Sequence, residues 1–341
     1  MRLPPARGVL SAWLNETLHH PPSWIPAAVP APPVPNGRLR AWEDDDFQLA
    51  LWCCYELHYR GFEDVDEDWE WHPAVLALRG ALERQWLTAL RGLADEGEQA
   101  TVPAPAVPAA LRELTSRGGG PDLAGYLARR ASRDQFAEFL GHRSVYQLKE
   151  ADPHSFGIPR LDGPAKAALV EIQADEYGGG RAERMHSTLF RAAMRWLELD
   201  DSYGSYVPAV PAVTLAVSNL MSFFALHRRW TGALLGHLAA LEMTSTSPNR
   251  LYAAGARRLG ASARERWYFD EHVEADAVHE QIAAHDLCGR YVADHPGAAP
   301  DVLFGAACCL ALDDVVAGYL LSCWQTGRSS LLAEAEPRIA V

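Results

Sequence analysis

Three side chains in the segment ASARERWYFDEHVEADAVHEQIAAHDLCG are of the kinds that bind transition metals. His272, Asp276 and His279 follow one another at i, i+4 and i+7. At about 100° per residue, a helix would place all three within roughly 60° of one another on one face. Imidazole and carboxylate groups make a poor packing face but are usual ligands of transition metals. The spacing therefore predicts a metal-binding stripe, with an exposed polar face as the alternative.

A second group of ligand-type residues surrounds three consecutive glycines, Gly178 to Gly180. On a continuous helix, Glu176 and Glu183 share one face, and Glu183 and His186 form a Glu-x-x-His step on it. Each glycine costs a helix about 1 kcal/mol relative to alanine, so this helix is intrinsically weak. We expect residues 174–188 to be distorted without metal and helical with both ions bound. A Glu-x-x-His step alone occurs often by chance, so it gains weight only beside the first stripe.

Glu150 adds a carboxylate from a third element, because it ends the predicted helix YQLKEADP well before Glu176. Metal sites in helical bundles are built from inward-facing side chains on several helices. Four carboxylates are then present, from Glu150, Glu176, Glu183 and Asp276. Unpaired in a core, each would cost several kcal/mol, whereas two divalent ions would balance their charge. The sequence therefore predicts a two-metal site.

The elements that carry these residues are predicted to be helical throughout, because no convincing strand pattern or internal repeat occurs. The fold class is therefore all-α. Helices are predicted over residues 42–61, 73–93, 109–116, 121–131, 132–151, 163–197, 212–243, 247–260, 263–291 and 300–326. Proline-rich connectors cover residues 21–37 and 102–108. The expected organisation is an N-terminal proline-rich segment with helices packing on the bundle (1–108), a metal-binding domain (109–330) and a tail (331–341).

Composition excludes several classes of protein. Hydrophobic residues make up 48% of the 341 residues, which suits a large core, and the net charge of −13 argues against nucleic-acid binding. No apolar run approaches the roughly 20 residues that span a bilayer, so no membrane association is expected. No secretion signal is recognised at the N-terminus. The six cysteines contain no C-x-x-C motif and are predicted to be buried thiols of a cytoplasmic protein.

The order of these residues resembles that of the haem-oxygenase-like diiron oxidases, also called iron-containing redox enzymes. The similar stretches lie between about residues 120 and 330 and include QLKEADPHSFGIPRL, EIQADEYGGG and HEQIAAHDLCG. The resemblance implies a haem-oxygenase-like helical bundle without haem, with metal ligands Glu150, Glu176, Glu183, His186, His272, Asp276 and His279. It further implies two Fe(II) ions with O2 as co-substrate, and manganese is compatible with one position.

The implied activity is oxidation of a small organic substrate, such as an amino acid or related metabolite, in a biosynthetic pathway. N-oxygenation, desaturation and oxidative C–C cleavage are the reactions that the resemblance suggests. A ferritin-like iron-storage protein and a metal-free thiaminase-like member of the same superfamily are the alternatives. An external electron donor and a homodimer remain open, the latter suggested by Trp42, Trp52 and residues 69–71. Candidates for binding a substrate carboxylate are Arg228, Arg229, Arg250, Arg257 and Arg258.

Overall fold

The computed structural model describes residues 1–32, 40–94 and 102–332, apart from the side chains of residues 275–277. All regular elements within these ranges are helical, and they contain no strand, so the all-α prediction is confirmed. The α-helices in chain order are α1 (Val9–Leu18), α2 (Asp45–Glu56), α3 (Pro73–Leu93), α4 (Val107–Ser116), α5 (Leu123–Arg129), α6 (Arg133–Gln147), α7 (Asp152–Ser155), α8 (Gly163–Glu176), α9 (His186–Trp196), α10 (Ala212–Leu226), α11 (Thr231–Arg258), α12 (Trp267–Gln281), α13 (Arg290–Asp294) and α14 (Ala299–Gln325).

The centre of the bundle is α11, which packs along α14 on one side and α12 on another. Two separate elements were predicted over its span, with a break before Pro248, but the helix continues through this proline. The predicted helix 212–243 is divided into α10 and the start of α11 by a short 3-10 turn, Arg228–Trp230. A helix of this length lets one element contribute to both the cavity and the core described below.

The helix at Pro296–Gln325 is long and apolar enough by composition to cross a bilayer, and it is the one such helix among the described residues. The sequence prediction that no apolar run approaches this length is therefore wrong. The helix also carries Asp313 and Asp314, while Phe304 and Leu312 are buried in the hydrophobic core. The core helix of a soluble protein passes the same test of length and composition, so this single helix is weak evidence for a membrane span.

Two predicted helices are interrupted in the structure. The predicted helix 163–197 ends at Glu176 and resumes at His186. The predicted helix 263–291 consists of α12, a π-helical segment Ile282–Gly289 and α13. Both interruptions adjoin the candidate metal ligands, as π-helical turns often do at functional sites.

The N-terminal helices share one continuous core with the rest of the bundle. Leu14, Trp52 and Trp86 belong to the same hydrophobic cluster as Leu234 and Phe304. This sharing agrees with the expectation that residues 1–108 pack on the bundle, although the domain boundaries themselves stay a prediction.

The predicted tryptophan surface for a homodimer is largely wrong. Trp42, Trp52 and Trp69 are buried, and Trp71 is the exposed one, at 65%. All six cysteines are buried and none forms a disulfide, as the sequence predicted.

Candidate metal centre

Glu176 and His186 face one another across a tight reversal of the chain. Helix α8 ends at Glu176, and the backbone then turns through Gly178 to Gly180 at φ 69°, 59° and 79°. This left-handed region strongly favours glycine, so the three glycines end one helix and turn the chain back. Helix α9 begins at His186, whose Nδ1 lies 2.9 Å from Oε2 of Glu176. The glycines therefore act as a reversal rather than as a weak stretch of helix.

Glu150 lies in the turn that follows α6. The turn is fixed on one side by Ala151 in the left-handed conformation (φ 73°). On the other side, Nζ of the buried Lys149 lies 3.2 Å from Oε2 of the buried Glu56 on α2. The Glu150 carboxylate accepts a hydrogen bond from the Tyr268 hydroxyl at 3.0 Å.

His272 and His279 lie two turns apart on α12, and both are buried. The Nδ1 atom of His272 is 2.8 Å from the Tyr268 carbonyl oxygen. Because a carbonyl can only accept, Nδ1 carries the proton. Nε2 then carries the lone pair that a metal could bind, and it lies 3.5 Å from Oε1 of Glu150.

Two groups of potential ligand atoms result, and they share Glu176. Within each group the ligand atoms lie within 4.8 Å of one another. The first group contains Glu150, Glu176, His186 and His272; the second contains Glu176, Glu242 and His279. The His279 Nδ1 atom is 3.4 Å from Oε2 of Glu242 and its Nε2 is 3.0 Å from Oδ2 of Asp175.

Several polar atoms of these groups are buried and face other potential ligand atoms. Oε2 of Glu150 is buried without a hydrogen-bond partner among the described residues, and Oε2 of Glu176 faces Nδ1 of His186 at 2.9 Å. Buried polar atoms in native proteins are nearly always satisfied, and carboxylate and imidazole atoms gathered within 4.8 Å of one another suit a metal ion. Mixed imidazole and carboxylate donors suit iron, and the residues therefore fit this metal.

The electrostatics of the centre agree with this interpretation. Burial raises the pKa of Glu176, but the nearby His186, His272 and His279 outweigh it and lower this pKa to about 2. Burial lowers the pKa of His279, but the carboxylates of Glu242 and Asp175 raise it to about 9. In the protein without metal, protonated imidazoles thus balance the negative charge of the carboxylates. A bound divalent ion would take over this role and displace the protons.

The structure brings together five of the seven predicted ligands: Glu150, Glu176, His186, His272 and His279. Glu183 does not join them, because it is exposed on the short 3-10 turn Ala182–Arg184. Its predicted place on one face with Glu176 is wrong, since the chain reverses at the glycines. Asp276 lies on α12, but its side chain is outside the described residues.

Glu242 is the member of the centre that sequence reasoning missed. It is buried at 6% exposure in the middle of α11, within the apolar run LLGHLAALEM. A lone acid among apolar residues of a core helix is the signal that could have revealed it, because a buried carboxylate needs a partner.

A cavity opens beside the centre, between α6, α8, α11 and α12. Glu150, Glu176, Glu242 and His272 line it, together with mostly apolar side chains such as Phe190. Its volume of roughly 140 Å³ is close to that of an engineered cavity that holds benzene. The candidate ligands therefore adjoin a largely apolar space of the size of a small organic molecule.

His154 and His237 also line this cavity, although neither belongs to the predicted ligand set. Nε2 of His154 and Nδ1 of His237 are 3.1 Å apart and form a hydrogen bond. Burial lowers the pKa of His154 to about 4, so both rings are neutral at physiological pH.

Residues 137–314 match the family described as "Iron-containing redox enzyme". The match covers just over half of the chain, and this protein belongs to that family, as the resemblance predicted. The chain is also 26% identical over 256 residues to a nitrosourea synthase from Streptomyces achromogenes subsp. streptozoticus. The aligned region covers 72% of this chain and 54% of the relative, so the chain spans about half the length of that protein.

Proposed function

We propose that this protein is a non-haem diiron oxidase or oxygenase that uses O2 to oxidise a small organic substrate in a biosynthetic pathway. The observation that carries the proposal is the sharing of Glu176 between two groups of ligand atoms that adjoin one apolar cavity. Membership of an iron-containing redox family supports iron as the metal, and the likeness to a synthase supports a biosynthetic role.

The ligand set divides naturally into two positions that share one carboxylate. Glu150, His186 and His272 would hold one ion, and Glu242 and His279 the other, with Glu176 reaching both. Asp276 remains a sequence-predicted ligand, about one helical turn from both His272 and His279. Manganese is compatible with one position, because oxygen and nitrogen donors do not exclude it.

Bound Fe(II) would supply the electrons that activate O2, and the chain supplies position and environment. Tyr268 orients both sides of the first position, since its carbonyl fixes the ring of His272 and its hydroxyl holds Glu150. The Lys149–Glu56 ion pair anchors the turn that carries Glu150. Phe190 and Phe269 line the cavity and exclude water from the centre.

The substrate we propose is an amino acid or related metabolite. A cavity of roughly 140 Å³ suits such a molecule better than a long fatty acid. The relative that the chain resembles is named for making a nitrosourea. Among the reactions considered above, N-oxygenation is therefore the first to test.

Anaerobic titration with Fe(II), followed by exposure to O2, tests the proposal. We expect about two iron ions per chain and a transient visible absorption that decays faster with one member of an amino-acid panel. Glu176→Ala should lose both ions, whereas the matched Glu183→Ala, in the adjacent exposed turn, should retain them. Steady accumulation of ferric mineral without a substrate effect would instead indicate iron storage. Full iron binding by Glu176→Ala would refute the shared ligand.

A further inference from the structure

The wall of the cavity contains one arginine among its described residues, and it is none of the five suggested by the sequence. Arg143, on α6, lines the cavity, and no described lysine does. Among the arginines suggested earlier, Arg258 instead donates to the carbonyls of Leu127, Ala128 and Ala131. Because a guanidinium stays protonated in proteins and matches a carboxylate geometrically, Arg143 is suited to bind an anionic group.

Arg143 is on the same face of α6 as the metal centre. Phe139, Arg143, Tyr146 and Gln147 all line the cavity, followed by the candidate ligand Glu150. Their spacing of three and four residues is that of one helical face. Arg143 lies about one turn before the end of α6 at Gln147, and Glu150 follows in the next turn of the chain. The wall of the cavity thus extends from the Arg143 guanidinium to the Glu150 carboxylate.

A carboxylate stands beside the Arg143 guanidinium. Nη2 of Arg143 donates to Oδ1 of Asp313 on α14 at 3.4 Å, and the Tyr252 hydroxyl also interacts with the guanidinium. The side chain of Asp313 is 61% exposed and that of Arg143 is 29% exposed, whereas Glu176 is 8% exposed at the other end. Arg143 and Asp313 thus mark the end of the cavity that opens to solvent. Such a long, exposed ion pair contributes little to stability, on the order of 0–1 kcal/mol.

We propose that Arg143 and Asp313 form the site that binds the charged head of an α-amino acid substrate. The guanidinium would bind the α-carboxylate and the Asp313 carboxylate would bind the α-ammonium group, so that the side chain points down the cavity toward the metal centre. The inference rests on the proposed function, and it assigns the selection of the substrate to residues outside the ligand set. It also defines the reaction as one at the side chain of the amino acid rather than at its α-carbon.

Three probes of equal chain length separate the two charges of the head group. Norleucine carries both charges, hexanoate lacks the ammonium and hexylamine lacks the carboxylate. Calorimetric titration of each into the iron-loaded protein, without O2, should show norleucine binding at least tenfold more tightly than either analogue. Norleucine that binds no better than hexylamine overturns the proposal.

Variants assign each charge to its residue. Arg143→Gln should weaken the binding of norleucine and hexanoate at least tenfold, and Asp313→Asn should remove the preference for norleucine over hexanoate. Arg129→Gln is the matched control, because Arg129 forms a similar exposed pair with Asp122 away from the cavity. Asp313 is largely exposed, so its variant remains informative even if Arg143→Gln is unstable.

The outcomes separate this inference from the proposed function. Arg143→Gln should bind iron as the wild type does, because it changes no candidate ligand. If iron binding and O2 consumption are intact but both variants bind norleucine like the wild type, the head-group site is refuted and the diiron proposal stands. If the wild type binds no iron, the proposed function itself fails.

Discussion

Substituting Gly178 by alanine should damage the metal centre, although this residue is not itself a ligand. Gly178 has φ 69°, and a Cβ atom there would lie 2.6 Å from the carbonyl carbon of Arg184 and 2.6 Å from the amide nitrogen of Met185. Ordinary contacts between such atoms begin at about 3.5 Å. The backbone just before His186 must therefore move by roughly 1 Å, whereas metal ligands tolerate about 0.2 Å.

Gly179 offers a matched control in the same turn. It has φ 59°, but a Cβ atom there would meet nothing within 4 Å. Alanine at either position costs about 1–2 kcal/mol for the left-handed backbone. Gly178→Ala should in addition weaken iron binding by about 10–100-fold, the range seen when residues that support ligands are changed.

Urea unfolding of the metal-free variants and anaerobic Fe(II) titration measure the two effects separately. We expect both variants to lose some stability and Gly178→Ala alone to lose iron affinity. If both variants bind iron as the wild type does, close packing of Gly178 on residues 184–185 does not position His186. If both lose iron affinity to the same extent, the left-handed backbone, and not the close contact, controls the centre.

Three further predictions concern charged groups. Glu242→Gln should reduce bound iron from about two ions per chain to about one. Glu274→Gln, a change at an exposed residue of α12, should leave bound iron unchanged. Metal analysis after desalting measures the iron content of each variant, and equal contents would contradict the role of Glu242. The pKa of His279 is raised from 6.5 to about 9 in the metal-free protein, so its stabilising contribution is complete below pH 6.5 and is lost as the pH rises through about 9. Denaturant titrations across this window should show unfolding free energy falling more steeply with pH in the wild type than in His279→Gln, and equal slopes would contradict the prediction. Lys149→Met should destabilise the fold by about 3–5 kcal/mol, because it leaves the Glu56 carboxylate buried without its ion pair. The double variant Lys149→Met, Glu56→Gln should recover part of this loss of stability. If it recovers none, the lost ion pair is not the cause.

The helical class and most of the helices could be predicted from the sequence because they depend on local patterns. Apolar residues that recur every three to four positions mark a helix wherever one face is buried. The stripe of His272 and His279 was recognisable for the same reason, since both lie on α12 with regular spacing. Glu176 ends α8 and Glu150 lies in the turn after α6, and both were selected as carboxylates near other ligand-type residues before the resemblance to a known family supported them.

The remaining parts of the centre depend on tertiary structure. Glu183 was misassigned because the sequence does not show that Gly178 to Gly180 reverse the chain. Glu242 was missed because a single acid shows no ligand spacing along its own helix, and the other members of its group, Glu176 and His279, lie on α8 and α12. The burial of Trp52 and Trp69 likewise depends on how the N-terminal helices pack, which local periodicity does not determine. The role of each candidate ligand in binding metal stays a prediction.

The sharing of Glu176 has a consequence for how the centre would fill. An ion in either position would fix the Glu176 carboxylate and offset its charge. The first ion thus prepares a ligand for the second while also repelling it, so occupancy of the two positions is thermodynamically linked. Because the linkage is reciprocal, a substitution that leaves one position empty would change the affinity observed at the other, so the two positions would not fill independently.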